Sequence, residues 1–205
     1  MKVRAEQAAT VGVAEHGNSA VLVTVAAGGA LIDRRSIDLT HGLPTHPYHH
    51  EGSWAVGRYL NSSWSRPISL AEATALVERV REAAARGARE CLDALAAEVS
   101  VPIAGIAIRK CPTLPTTTEE RITDTRAANV ADSVMYRESL AAAAEARGWS
   151  VYWYDREHVF GDAAAALGGS SVDSFLQAMG RAIGPPWQAK HKLAAAAALA
   201  AGARG

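Results

Sequence analysis

Residues 103–108 read IAGIAI, a run without a single polar side chain that begins directly after Pro102. An uninterrupted apolar run of this length is typical of a strand in the middle of a parallel sheet, where helices cover both faces. The stretch therefore predicts an α/β fold with residues 103–108 as the central strand. Two cations, Arg109 and Lys110, mark the carboxyl end of that strand.

Upstream of the central strand the sequence predicts a β-hairpin. Residues 20–25 and 30–39 are β-rich and flank Gly28–Gly29, which suits a tight turn. In the second run the apolar residues do not alternate strictly, which indicates a bulge or an edge strand. Residues 54–60 predict a further strand. Residues 1–18 are mixed in character, and we expect them to be loosely ordered.

The helices are indicated by apolar spacing and by their ends. Ser69 and Glu72 form a capping box at the start of a helix that extends to about residue 98. The elements predicted after the central strand are a Pro- and Thr-rich loop (111–125), a helix (126–147), a strand (151–154) and three further helices (157–166, 172–183 and 187–201).

Composition limits the classes of protein. The 205 residues suit a single domain, 1–205, and they carry 21 basic and 21 acidic side chains. A neutral chain gives no strong electrostatic case for nucleic acid. Two cysteines without a CxxC motif indicate a reducing compartment. The longest apolar run is too short to span a bilayer, so we expect a soluble cytoplasmic protein without membrane partners.

The order of the elements over residues 20–201 resembles the ribonuclease H-like superfamily, which includes Holliday-junction resolvases, integrases and actin-like ATPases. The resemblance implies a mixed five-stranded sheet with helices on both faces. It also implies two metal ions in nuclease members, held by carboxylates on the first strand, the central strand and the helices. Here Thr24 stands where the acid of the first predicted strand is expected, the central strand has none, and the last helix offers His191. We therefore expect the usual nuclease site to be absent.

A histidine-rich segment, residues 40–54, is the densest group of potential metal ligands. It contains His41, His46, His49, His50 and Glu51. Imidazoles suit zinc or another divalent metal, and we predict His46, His49 and His50 as ligands with Glu51 as a base. The alternative is a structural loop whose rings pack on neighbouring aromatic residues. In a ribonuclease H-like sheet this segment would follow the second predicted strand, at the edge opposite the ligand crevice.

Two short segments carry a further resemblance. PYHHE (47–51) and GPPW (184–187) are similar to segments of a bacterial protein family. That resemblance implies no activity.

Ligands of open α/β sheets bind outside the carboxyl ends of the strands. We expect the loops after Val25, Ile108 and Tyr154 to meet there. The predicted ligand-binding residues are Arg109, Lys110, Asp124, Arg126, Asp132 and Tyr136, and the candidate catalytic groups are Glu51, Asp155 and His191. Arg109 and Lys110 at a strand end suit an anion.

Three functions follow as alternatives. The first is a catalytically divergent ribonuclease H-like domain that serves as a binding or interaction module, in nucleic-acid metabolism by analogy of fold. The second is a metal-dependent hydrolase that uses the segment from His41 to Glu51. The third is a small-molecule anion-binding protein with its site near Arg109. The sequence is compatible with a homo-oligomer and does not identify a partner.

Overall fold

The computed structural model describes residues 8–48 and 68–204. The elements in chain order are β1 (Ala9–His16), β2 (Ser19–Ala26), β3 (Leu31–Asp38), α1 (Leu70–Glu98), β4 (Ile103–Arg109), α2 (Thr118–Thr123), α3 (Thr125–Ala146), β5 (Ser150–Tyr154), α4 (Val159–Ala166), α5 (Val172–Ile183) and α6 (Ala189–Gly202). The strand predicted at 54–60 and the residues His49, His50 and Glu51 lie outside the described residues.

The five strands form one mixed sheet in the order β3-β2-β1-β4-β5. The pairs β1–β2 and β2–β3 are antiparallel, whereas β1–β4 and β4–β5 are parallel. The predicted hairpin is confirmed as β2 and β3, and the strands predicted at 103–108 and 151–154 are confirmed as β4 and β5. β3 is an edge strand, and its pairing with β2 shifts register between Thr24 and Val25, as the irregular alternation of the sequence predicted.

The expectation that residues 1–18 are loosely ordered is wrong for residues 9–16, which form β1 in the centre of the sheet. Val11 and Val13 are fully buried in the core on one face. Gly17, with φ of 57°, occurs in the turn that leads into β2. Thr24 consequently belongs to β2, the second strand in chain order. It therefore does not occupy the position at which nuclease members carry the acidic residue of their first strand.

Helices cover both faces of the sheet, which confirms the predicted architecture. α1 and α3 pack in one core with Val11, Leu22 and Ile106. α4, α5 and α6 pack in the other core, where α6 buries an unbroken run of alanines, 194–198. Because these side chains are small, α6 lies so close to β1 that a Cβ added to Gly12 would overlap the carbonyl of Ala194.

The long helices begin and end where the sequence predicted. The Ser69 hydroxyl accepts a hydrogen bond from the Glu72 amide at 3.2 Å, and the Glu72 carboxylate accepts one from the Ser69 amide at 2.8 Å. The loop predicted at 111–125 contains the short helix α2. This helix begins with a second capping box, which Thr117 and Glu120 form. None of the helices in residues 8–48 and 68–204 combines the length and the hydropathy of a membrane-spanning segment.

Candidate functional site

The carboxyl ends of β1, β3, β4 and β5 lie at one edge of the sheet, because these strands run in the same direction. The loops after Ile108 and Tyr154 meet at this edge, as predicted. The loop after Val25 does not, because β2 is antiparallel and ends at the opposite edge. The segment that follows β3, residues 39–48, lies at the carboxyl edge. We predicted that this segment follows the second strand and lies opposite the crevice. That placement is wrong, because β1 precedes the hairpin and the segment therefore follows the third strand, which is parallel to β1.

A cleft of about 790 Å³ opens at this edge between β4, β5 and α3. Its lining residues are Arg109, Lys110, Cys111, Pro112, Val130, Ser133, Arg137, Tyr154, Asp155, Arg156 and Glu157. The predicted site residues Arg109, Lys110 and Asp155 are therefore brought together. The volume lies in the range of sites that bind small molecules or parts of larger ligands.

Cations outnumber carboxylates in the lining of the cleft. Arg109, Lys110 and Arg156 form no ion pair with a carboxylate of the described chain. Asp155 accepts a hydrogen bond from the Glu157 amide at 2.9 Å, and this bond is the main reason that the pKa of Asp155 lies below its ordinary value. A carboxyl group held ionised in this way is unsuited to donate a proton.

The wall between β1 and α3 is formed by a buried ion pair. Arg137 Nε lies 2.8 Å from Glu15 Oε1, and the two side chains are 6% and 8% exposed. Arg137 Nη1 also donates to the Lys110 carbonyl at 3.0 Å. Glu15 is the only acidic residue of β1. Its charge is therefore neutralised by Arg137 and is not presented to the cleft.

Tyr154 forms the floor of the cleft and is buried. Its hydroxyl donates to the Val13 carbonyl at 2.8 Å. Burial, with a smaller contribution from the charge of Glu15, raises the pKa of Tyr154 well above its ordinary value. The phenol therefore stays protonated and joins β5 to β1.

The segment 39–48 packs against α3 beside the cleft. The buried Asp132 carboxylate accepts a hydrogen bond from the Tyr48 amide at 3.0 Å and lies 3.6 Å from Nδ1 of His46. The Tyr136 hydroxyl donates to the Thr45 carbonyl at 2.9 Å. Asp132 and Tyr136, which we predicted as ligand-binding residues, are buried beneath this segment and do not line the cleft.

The remaining predicted site residues have other positions. Asp124 is the N-cap of α3, where its carboxylate accepts hydrogen bonds from the amides of Arg126 and Ala127. Arg126 is exposed at the start of that helix and does not line the cleft. His191 lies in the first turn of α6, where Nδ1 accepts a hydrogen bond from the Gln188 amide at 3.0 Å. Burial, together with the nearby charge of Arg34, lowers the pKa of His191.

The residues at the carboxyl edge do not fit the metal site that the family resemblance implies. The acid of β1 is paired with Arg137, β4 ends in Arg109, and Nδ1 of His191 caps α6. The described part of the chain contains no group of three or more His, Cys, Asp or Glu side chains placed to hold a metal ion.

Comparison with solved structures identifies the fold. The chain is similar to T. thermophilus RuvC in complex with Holliday junction substrate, with a TM-score of 0.51 and 13% sequence identity over 95% of this chain and 92% of that chain. A second Thermus thermophilus RuvC structure aligns with a TM-score of 0.46 and 12% identity over 94% and 92% of the two chains. No protein-family model and no curated protein matches the sequence. The chain has the ribonuclease H-like fold that its element order predicted.

Sequence reasoning missed Arg137 and Arg156, which line the cleft, and Glu15, the buried partner of Arg137. The signal for β1 was present, because Val11 and Val13 alternate with small residues and Gly17–Asn18 is a typical hairpin turn. Recognising β1 places Glu15 at a strand end. The partner of Glu15 could not be found in the same way, because Arg137 lies 122 residues away in the chain.

Proposed function

We propose that this chain is a ribonuclease H-like domain that binds nucleic acid in the cleft between β4, β5 and α3 and does not cleave it by the metal-dependent mechanism of nuclease members. The observation that carries the proposal is the Glu15–Arg137 pair. It neutralises the only carboxylate of β1 at this edge. Arg109, Lys110 and Arg156 supply the positive charge of the same cleft.

The charge of the cleft supports a phosphate ligand. Four cations and two carboxylates line it, and Glu15 accounts for the charge of one cation, Arg137. A small local excess of positive charge therefore occurs in a chain with no net charge. Arg109 suits a phosphate group in particular, because a guanidinium can donate two parallel hydrogen bonds to it. The chain is similar in fold to RuvC, whose structure contains a Holliday junction. Nucleic acid is therefore the first phosphate-containing ligand to test.

Binding is measured by the fluorescence anisotropy of labelled single-stranded, duplex and four-way-junction oligonucleotides at low salt. We expect saturable binding by the wild type and weaker binding by an Arg109→Gln/Lys110→Gln variant. The matched control is Arg86→Gln/Arg89→Gln, which removes two exposed cations of α1 that do not line the cleft. Binding of inorganic pyrophosphate but of no oligonucleotide would replace this proposal with the small-molecule anion binder.

Cleavage is tested on the same oligonucleotides with Mg²⁺ and with Mn²⁺, and a known nuclease serves as the positive control. We expect no product from the wild type. Cleavage by the wild type that is lost in Asp155→Asn or Glu15→Gln would contradict the proposal, because it would show that these carboxylates act in spite of their contacts.

A metal-dependent hydrolase with its centre at His46 is the second candidate. The favourable observation is the position of His46 Nδ1, 3.6 Å from the Asp132 carboxylate, since carboxylates commonly orient metal-binding imidazoles. Nε2 would then be the nitrogen that binds the ion. Metal analysis of untagged wild type, His46→Ala and His49→Ala tests this candidate. Stoichiometric zinc that both substitutions remove would establish the metal centre that such a hydrolase needs. Substoichiometric zinc, or zinc that neither substitution changes, would exclude it.

A further inference from the structure

A second recess adjoins the cleft and contains an exposed indole. This recess, with a volume of about 290 Å³, is lined by Lys110, Cys111, Glu138 and Trp153. Lys110 and Cys111 also line the larger cleft, so the two spaces share one wall. Trp153 is 38% exposed, which makes it one of the few large apolar side chains of the described chain that reach solvent.

The strand alternation places Trp153 and Tyr154 on opposite faces of β5. In the β4–β5 register Trp153 is opposite Ile108, and Tyr154 is opposite Arg109. Tyr154 is 5% exposed and belongs to the core, whereas Trp153 remains open on an edge strand. A single exposed apolar side chain is unremarkable by itself. Here the indole lies next to a wall of the cationic cleft, and this combination is typical of sites that bind unpaired nucleotides.

The charges of the two spaces differ, and the difference orients a ligand. The cleft has a small excess of positive charge, because its cations, Arg109, Lys110, Arg137 and Arg156, outnumber Asp155 and Glu157. In the recess, Glu138 offsets the charge of the shared Lys110, so no excess positive charge favours a phosphate there. The phosphate is therefore favoured in the cleft, and an uncharged planar group is favoured against the indole.

We propose that the ligand of this site is a single-stranded segment of nucleic acid, with a phosphate at Arg109 and Lys110 and an unpaired base stacked on Trp153. This inference rests on the proposed function and specifies its ligand class. In a duplex, the bases are stacked on one another and only the terminal pair has an open face. A base that stacks on Trp153 must therefore come from an unpaired strand.

The test compares three labelled ligands about 12 nucleotides long: a thymine single strand, the same backbone without bases, and a duplex. Trp153→Ala should bind the thymine strand about 5- to 150-fold more weakly than the wild type does. The two proteins should bind the abasic strand with equal affinity, because it has no base to stack on the indole. Trp153→Phe should retain most of the affinity, because phenylalanine keeps an aromatic face. A uracil RNA strand of the same length distinguishes RNA from DNA.

Phe160→Ala is the matched control, since Phe160 on α4 is 37% exposed and lines neither space. It should bind the thymine strand as the wild type does. Equal affinity of wild type and Trp153→Ala for the thymine strand would overturn this inference. If Arg109→Gln/Lys110→Gln still weakens binding in that case, the proposed function survives. If the wild type binds none of the oligonucleotides, both proposals fail.

Discussion

The guanidinium of Arg137 donates to the carboxylate of Glu15 across the junction of α3 with β1, with Nε 2.8 Å from Oε1. Both side chains are more than nine-tenths buried. Arg137 also donates to the carbonyl of Lys110 in the loop after β4. One side chain therefore joins α3, β1 and the loop after β4. Because a buried charge is stable only with its partner, this pair sets both the stability of the junction and the charge of the cleft.

Loss of one member of this pair should destabilise the protein strongly. Arg137→Gln leaves the buried Glu15 carboxylate without its cation, and we expect the free energy of unfolding to fall by about 3–5 kcal/mol. Urea denaturation measures the change. Arg204→Ala breaks an exposed pair with Asp162 and should cost less than about 1 kcal/mol. If both variants lose the same small amount, the Glu15–Arg137 pair is unimportant for stability.

The double variant Glu15→Gln/Arg137→Gln should be more stable than Arg137→Gln alone, since it removes both buried charges. A coupling energy of about 0.5–3 kcal/mol is expected between residues in direct contact. Urea denaturation of the wild type, both single variants and the double variant completes the cycle. Strict additivity would show that the two side chains do not interact.

Gly12→Ala should destabilise the protein because its new methyl group would overlap the Ala194 carbonyl of α6. Overpacking of a core typically costs about 1–3 kcal/mol, and here the obstacle is backbone. Gly161→Ala is the control, because Gly161 lies in α4 with open space around its Cβ position. That substitution should stabilise the protein by about 0.5–1 kcal/mol. Thermal unfolding measures the stability of both variants. A higher unfolding temperature for both would contradict the close packing of α6 on β1.

Asp132→Ala should weaken the attachment of the segment 39–48 to α3. It removes the acceptor of the buried Tyr48 amide, and a buried donor without a partner costs about 1–3 kcal/mol. Urea denaturation gives the loss, and hydrogen exchange of the Tyr48 amide locates it. Asp93→Ala removes a carboxylate that is 63% exposed and should cost under about 1 kcal/mol. Unchanged exchange at Tyr48 would argue against the contact.

His191 should make stability depend on pH. Its pKa in the folded protein lies below the ordinary value of 6.5, first because of burial and then because of Arg34. The unfolded state therefore binds the proton more readily, so this contribution is complete above the ordinary pKa and is lost as the pH falls through it. Protonation of Nδ1 would also remove the acceptor for the Gln188 amide.

The free energy of unfolding of the wild type should therefore decrease more than that of His191→Gln between about pH 7.5 and about pH 5.5. Urea denaturation at the two pH values measures both decreases. Equal decreases in the two proteins would show that His191 does not contribute to the pH dependence.

Salt should weaken the binding of single strands, and the cleft cations should set part of the slope. Removing a cation that contacts a phosphate reduces the slope of log K against log salt by about 0.7 per contact for a single strand. Arg109→Gln/Lys110→Gln should therefore give a flatter slope between about 50 mM and about 200 mM salt. An unchanged slope with a lower affinity would place the phosphates elsewhere.

Local sequence signals predicted most of the elements. The capping box of Ser69 and Glu72 and the apolar run 103–108 depend on interactions within a few residues, so α1 and β4 could be read directly. The alternation of Val11 and Val13 indicated β1 only weakly, because the residues between and after them, Gly12 and Ala14, are not typical of strands. They occur there because α6 approaches that face closely, and this is a tertiary condition.

For the site, the sequence by itself determined which polar residues follow the strands, because Arg109, Lys110 and Asp155 come directly after apolar runs. Only the tertiary structure decided what these residues face. It placed Arg137 against Glu15, buried Asp132 and Tyr136 beneath the segment 39–48, and opened Trp153 beside the cleft. The physical reason is that strand ends are fixed by local patterns of apolar residues, whereas ion pairs and exposure depend on which distant elements pack together.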